Sequence, residues 1–244
     1  MAEIENLFAF DFDDTVAITP SVIGVQRVTV DGKSDLSFRE WIYDHNLDIH
    51  EIENPDTDDE IVWFTSGDFA KYEKAHRGDL EYIELNNLED RYDFTSTASV
   101  DVEGSSPIGP IVDILKQATG TSNSKVVIIT ARGGSSAIAG LSNRGMVKPT
   151  NRQDIKDFLS GQGINLGSGN ITTAGDIGEG PSAKVQAMKD YIEMYNPKNI
   201  FFYDDNQGNV SAVASMCDEY FPGITIKTFK VESDGSVSLS GGCW

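Results

Sequence analysis

At 244 residues the chain is long enough for a substantial core, built as one domain with a large insertion or as two domains. Its 39% hydrophobic and 24% charged content is that of a soluble globular protein. Against 39 acids stand 19 Lys and Arg, and the formal net charge of -20 repels nucleic acid and anionic membranes while favouring cations.

The first residues are acidic and lack the basic, apolar and small-residue regions of a signal peptide. No apolar run approaches the ~20 residues that span a bilayer, so no membrane partner is expected. Cys217 and Cys243 are too few and too far apart for a disulfide framework or a Cys-rich zinc site. Cys217 reads as a buried apolar residue and Cys243 as part of a tail. His45, His50 and His76 form no recognisable ligand cluster. Two glycosylation patterns occur, at Asn170 and Asn209, but Asn209 lies beside an expected active edge, where a glycan would obstruct. These features together point to a cytoplasmic, reducing location.

In chain order, the first element is an apolar run, Phe8-Ala9-Phe10, that leads into Asp11-Phe12-Asp13-Asp14-Thr15. On a strand that ran on, Asp11 and Asp13 would share a face at its carboxyl end. Residues 17–105 are aromatic-rich and irregular. They carry a hairpin signal at Val28 to Gly32, strand candidates at Glu60–Phe64 and Tyr82–Leu85, and a helical spacing of Phe69, Tyr72 and His76. From Asp44 to Glu60 the chain has eight acids and no Lys or Arg. A calcium loop of the EF-hand kind would need Gly where Ile61 stands, so a solvated acidic loop is expected. The whole stretch reads as an inserted, partly β cap or specificity region.

From residue 106 strands and helices alternate. Ile111, Ile114, Leu115 and Ala118 follow a helical period, and Lys125–Ile129 is an unbroken β-branched strand ending at Thr130. Thr150-Asn151-Arg152-Gln153 reads as a capping box opening a helix that stops near Gly161. A short strand at Ile171–Ala174 precedes a helix opened by Gly180-Pro181 and carrying Val185, Met188, Ile192 and Tyr195. Ile200–Tyr203 is a second buried strand running into Asp204-Asp205. A helix from Val210 to Phe221 and a strand from Ile224 to Val231 follow, and Gly and Ser from 233 suggest a loose tail. Alternation of this kind predicts an α/β fold with a doubly wound parallel sheet.

Asp11/Asp13, Thr130, Lys184 and Asp204/Asp205 fall at the carboxyl ends of expected strands or at helix starts facing them, the edge where open α/β sheets bind ligands. Brought together, these carboxylates would raise one another's pKa values unless a cation joined them. Mg²⁺ prefers oxygen ligands and bridges carboxylates to phosphate oxygens.

This set, in this order, resembles the haloacid dehalogenase superfamily, dominated by phosphatases. Asp11-Phe12-Asp13-Asp14-Thr15 is similar to its first motif, Val126–Thr130 to its second, Lys184 at a helix start to its third, and Phe201–Asp205 to its fourth in the paired-Asp form. Lys184 is preferred to Lys189 because the helix start faces the site. The resemblance implies a Rossmann-like catalytic core over 1–16 and 106–232, an inserted cap region over 17–105, and a tail over 233–244. It implies Asp11 as nucleophile, Asp13 as general acid and base, and Thr130 and Lys184 on the phosphoryl group. Mg²⁺ would be held by Asp11, the Asp13 backbone carbonyl, and Asp204 or Asp205. Asp14 stands where the family commonly has Gly. Asp13 argues against dehalogenation, because that branch lacks the second acid.

Thr130-Ala131-Arg132 is similar to the second motif of phosphatase domains that act on polynucleotide ends, with Arg132 gripping a phosphate. The charge of -20 and the lack of a basic stripe favour instead a small phosphorylated metabolite or nucleotide. The expectation is therefore a Mg²⁺-dependent phosphomonoester hydrolase. A nucleic-acid 3′-end phosphatase and a catalytically silent phosphate-binding module are the alternatives.

Overall fold

The computed structural model describes residues 4–134, 136–141, 146–178, 180–219, 221 and 223–244; the first three residues of the acidic N-terminus lie outside them. The chain forms two compact units. The first comprises Met1–Thr19, Val100–Ser135 and Thr150–Trp244, and the second Pro20–Ser99 and Ser136–Pro149. Both boundaries thus differ from the expected ones: the inserted part begins later, ends earlier, and also takes a second, separate segment.

Strands β1 (Asn6–Phe10) and β2 (Ala17–Ile18) open the first unit. The second holds β3 (Val22–Thr29), α1 (Phe38–Asp44), β4 (Glu51–Glu53), β5 (Ile61–Thr65), α2 (Ser66–Gly78), α3 (Leu80–Leu85) and β6 (Leu88–Asp93). The chain returns to the first unit with β7 (Ser106–Pro107), α4 (Gly109–Gly120) and β8 (Ser124–Thr130), and to the second with β9 (Ile138–Ala139) and β10 (Met146–Val147). Then follow α5 (Asn151–Gly161), β11 (Ile171–Thr173), α6 (Gly180–Tyr195), β12 (Asn199–Asp204), α7 (Gln207–Ala214), α8 (Met216–Glu219), β13 (Thr225–Val231) and β14 (Val237–Cys243).

The first unit is built on a sheet of order β11-β8-β1-β12-β13-β14, parallel except for β14. Alternate residues of β1 go to opposite faces: Phe8 and Phe10 join the core under α4 and α5, while Leu7 and Ala9 join the core under α6 and α7. Helices on both faces are why β8 and β12 read as continuous apolar runs. Phe10, Tyr203 and Phe229 stack across adjacent strands with centroids 4.7 Å apart, tying the carboxyl ends of β1, β12 and β13 together.

Several elements depart from the sequence pattern. Tyr82–Leu85 is helical, part of α3, and buries only Ile83; the strand lies later, in β6. Its polar sequence hid it, because β6 is an edge strand whose Asp90 lies opposite Arg27 of β3. Thr150 does not cap α5: its hydroxyl donates to Asp154 Oδ2 (2.6 Å), and Gln153 donates to Asp157 instead of reaching back. The expected helix from Val210 onward is divided into α7 and α8.

The tail, expected to be loose, is the edge strand β14, antiparallel to β13. Gly242 there has φ 135°, and a Cβ would strike the Ile226 carbonyl, so the Gly that suggested looseness is what allows the close approach. Cys217 and Cys243 are bonded to each other, with Cα atoms 6.0 Å apart. Cys217 is buried as expected, but it is bonded to the Cys243 that was read only as part of a tail. Disulfides persist in oxidising surroundings, so the pair weighs against a reducing location. Among the described residues no helix is long and apolar enough to cross a membrane.

The second unit is a four-stranded antiparallel sheet, β4-β5-β3-β6, with α1 and α2 packed on it through Phe38, Trp41, Ile42, Phe69 and Tyr72. Fully buried Arg27 lies 4.4 Å from the ring centroids of both Phe38 and Trp41 and grips Asp90 with Nε (2.7 Å) and Nη2 (2.9 Å). Asp90 also takes the Tyr72 hydroxyl and His76. The acidic loop is folded rather than merely solvated, since Arg39 pairs with Asp56 and Glu60.

The bridge closes a sequence separation of 26 residues, worth about 3.5 kcal/mol in a chain-entropy account. Thermal melts with and without dithiothreitol should differ by several degrees, and Cys243→Ser should match the reduced wild type. Equal melting temperatures would show that β14 is held by its backbone ladder alone.

Candidate active site

Parallel register decides which strand ends meet. Phe10 of β1 lies opposite Ile128 of β8 on one side and Tyr203 of β12 on the other, so Asp11, Thr130 and Asp204 emerge at one edge. Strand β1 itself stops at Phe10, and Asp11 stays in place by donating its N–H to the Tyr203 carbonyl (2.9 Å). Asp11 and Asp13 are therefore not on one strand face. Asp13 instead lies within a tight turn closed by Val16 and Ala17 N–H on the Phe12 carbonyl (2.9 and 3.0 Å). Asp14 adopts φ 55° in that turn. The left-handed conformation is one that Asp tolerates better than most residues other than Gly.

Lys184, in the first turns of α6, is 2% exposed and lies between two carboxylates, 2.8 Å from Asp11 Oδ2 and 2.7 Å from Asp204 Oδ2. Burial pulls its pKa down, but Asp11 and Asp204 outweigh that and leave it above the ordinary lysine value. Asp204 is fully buried and saturated with donors. Asn206 N–H reaches Oδ1 (2.8 Å), and Asn209 Nδ2 reaches Oδ1 and Oδ2 (3.0 and 3.1 Å). With that amide committed, Asn209 is no glycan acceptor in the folded protein. Asp205 exchanges two hydrogen bonds with Thr15, its N–H to Oγ1 (2.9 Å) and the hydroxyl to Oδ1 (3.2 Å).

Asp11 differs from its neighbours. Its Oδ1 is buried and has no hydrogen-bond partner among the described residues. Burial raises its pKa well above the carboxylate range, Lys184 opposes, and Asp204, Asp205 and Asp13 add to the rise. Asp205 is pushed up to about 7 by burial and by Asp204. One carboxylate oxygen from each of Asp11, Asp204 and Asp205 lies within 4.8 Å of the others, a set that could hold a metal ion. An unpartnered buried oxygen within a group of hard oxygen donors fits a small divalent cation such as Mg²⁺. The carboxylate of Asp13 is not in this group.

Arg132 turns its guanidinium onto Asp13, Nε to Oδ2 (2.9 Å) and Nη2 to Oδ1 (2.6 Å), and Thr19 Oγ1 donates to Oδ1 (2.7 Å). Burial would raise Asp13, but Arg132 overrides it and holds the carboxyl below its usual value. Thr130, fully buried, accepts the Arg132 N–H (3.2 Å) and points its hydroxyl at Asp13 Oδ2 (3.4 Å).

The structure thus brings together Asp11, Asp13, Thr130, Arg132, Lys184, Asp204 and Asp205. Sequence reasoning quoted Thr15 as the hydroxyl after the acid pair without giving it a partner, and missed Thr19, Asn206 and Asn209 as braces. Only Asn206 carried a local signal, a helix N-cap residue directly after the acid pair, and it does cap α7 by accepting from Gly208 and Asn209 N–H.

No family model matches the chain, and no curated protein does. Among solved structures, formyltetrahydrofolate deformylases from Burkholderia mallei ATCC 23344 and Pseudomonas putida KT2440 align with 89% and 86% of this chain and 70% and 68% of theirs. Identity is 9% and 11% and the TM-scores are 0.24 and 0.23, a similarity too slight to bear on fold or chemistry.

The folded state holds a proton on Asp205 up to about pH 7, whereas an unfolded aspartate releases it near 3.8. Stability of the metal-free protein should therefore fall as pH rises across that window. In EDTA the melting temperature should be lower at pH 8 than at pH 5.5, with the gap reduced in Asp205→Asn. Mg²⁺ should raise it more at pH 8. A melting temperature indifferent to both pH and Mg²⁺ would contradict the carboxylate geometry.

Proposed function

We propose that the protein is a Mg²⁺-dependent phosphomonoester hydrolase of the haloacid dehalogenase type, acting through an aspartyl-phosphate. One observation carries this reading: the buried Lys184 ammonium joins Asp11 to Asp204 and leaves Asp11 Oδ1 unpartnered. A carboxylate held in place on one oxygen and open on the other is suited to nucleophilic and metal-ligand roles.

Asp11 attacks phosphorus as the ester P–O bond breaks and its electron pair passes to the leaving oxygen; Asp13, ionised beside Arg132 in the free protein, takes the proton of the bound ester monoanion and hands it to that oxygen. In the second half, Asp13 takes a proton from water as the water oxygen attacks the aspartyl-phosphate. The P–O bond to Asp11 then breaks and returns the electron pair to its carboxylate. Thr130 and Lys184 hold phosphoryl oxygens and offset their charge, since such transfer needs mainly positioning and electrostatic stabilisation. Asp11, Asp204 and Asp205 would hold Mg²⁺, which when bound neutralises charge shared by the carboxylates and the phosphoryl group.

The net charge of -20 favours a small phosphorylated metabolite or nucleotide over a polynucleotide end. The second unit, inserted in the chain after β2 and again after β8, is assigned to substrate discrimination.

Hydrolysis of p-nitrophenyl phosphate tests the reading. Turnover should need Mg²⁺, disappear in EDTA, and fall at least ~10³-fold in Asp11→Asn. Turnover surviving in Asp11→Asn would overturn the mechanism, and phosphate binding without any turnover would favour a silent binding module.

A further inference from the structure

We propose that Arg132 is a positioning residue for proton transfer, holding the Asp13 carboxylate in place and not gripping the substrate phosphoryl group. The inference rests on the phosphatase reading and assigns within it a role opposite to the one the sequence motif implied.

The geometry favours it on three counts. First, the guanidinium is already bidentate on Asp13, at 2.9 and 2.6 Å, with the Arg132 side chain 4% exposed. A planar fork matched to a carboxylate is the strong form of this contact. Releasing it toward a phosphate would leave the partly buried Asp13 carboxylate, 17% exposed, without its cation and the Arg132 charge without its partner, which is costly. Second, the guanidinium is braced from behind. Its Nη1 donates to Asn151 Oδ1 (3.4 Å), and Asn151 Nδ2 donates to the Gly133 carbonyl (2.6 Å), so the first residue of α5 and the loop after β8 fix the arginine's direction. Third, the Thr19 hydroxyl sits between the two partners, accepting from Arg132 Nη2 (3.1 Å) while donating to Asp13 Oδ1 (2.7 Å).

Both Asp13 oxygens are therefore occupied, and unequally. Oδ1 takes two short contacts, while Oδ2 takes Arg132 Nε and the long, weak approach of Thr130 (3.4 Å). When Thr130 turns its hydroxyl to a phosphoryl oxygen, Oδ2 regains a lone pair, and the fork leaves it in a fixed direction. Through that lone pair Oδ2 takes the proton of the bound ester monoanion and passes it to the leaving oxygen as the ester P–O bond breaks.

The test is kinetic and uses the full chain with Mg²⁺. Arg132→Lys keeps the charge but loses the fork, and Arg132→Met removes both. Phenyl phosphate, whose leaving oxygen needs its proton, and p-nitrophenyl phosphate, which needs it less, are compared. For either variant kcat on phenyl phosphate should fall roughly 10-fold or more, a share of the ~10²–10⁴ that acid–base help is worth, with a smaller fall on p-nitrophenyl phosphate. KM and the inhibition constant of inorganic phosphate should stay within about 2-fold. In an Asp13→Asn background, Arg132→Lys should cost little more, because the two act as one unit. If Arg132→Met does not fold, Arg132→Lys with the double-variant cycle still decides.

Phosphate inhibition weakened 10-fold or more, equal losses on both esters, or additive losses in the cycle would overturn the role of Arg132 while leaving the phosphatase reading intact. Wild-type protein that binds phosphate without turning over any ester would defeat the phosphatase reading itself, and this role with it.

Discussion

A single ammonium group, that of Lys184, organises the first unit. Taking it out of water costs several kcal/mol unless it is paired, and the Asp11 and Asp204 carboxylates carry the same penalty. Each is tolerable only because the others are present, so the carboxyl ends of β1 and β12 and the start of α6 must meet. The sheet makes this possible by placing β1 beside β12 in a register that leaves both aspartates at one edge. Asp204 needs further donors, and it receives them from Asn206 and Asn209, so the first turn of α7 is tied to the same point. Much of the edge geometry follows from satisfying one buried cation.

Around that point, chemically identical carboxylates acquire different characters from what touches them. Asp204 accepts from a lysine, a backbone N–H and an amide, and it serves as an anchor. Asp13 is held ionised by a guanidinium. Among the described residues, Asp205 accepts from the Thr15 hydroxyl, while Asp11 meets Lys184 on one oxygen and leaves the other unpartnered. Under-satisfied carboxylates are expensive in a folded protein, and they collect where a cation or a reacting group completes them. That unequal distribution of hydrogen-bond donors is what the proposed function rests on.

The second unit solves a different problem with similar parts. Arg27 is buried between two aromatic rings and paired with Asp90, while Tyr72 and His76 converge on the same carboxylate. Burial raises the Tyr72 phenol well above its ordinary value, so it stays a donor. The network binds β3, β6, α1 and α2 into one core. It also explains why β6 looked like a surface segment: its Asp90 is a core residue by virtue of its partner, not of its own hydrophobicity.

Local pattern was enough to determine β1, β8 and β12 and the residues at their ends. Strands buried on both faces must be continuously apolar, and the abrupt change from Phe10 to Asp11, from Ile129 to Thr130 and from Tyr203 to Asp204 marks the edge directly. Lys184 was legible for the same reason, as a helix start facing that edge. Tertiary structure alone decided that Arg132 belongs to Asp13, that Thr15 reaches Asp205 across 190 residues of sequence, that β14 completes the sheet, and that Cys217 meets Cys243. Those pairings join segments distant in the chain. A hydroxyl, a guanidinium or an edge strand held by backbone hydrogen bonds has the same local sequence whether it meets its partner or faces water, so its role is set only when the chain closes on itself.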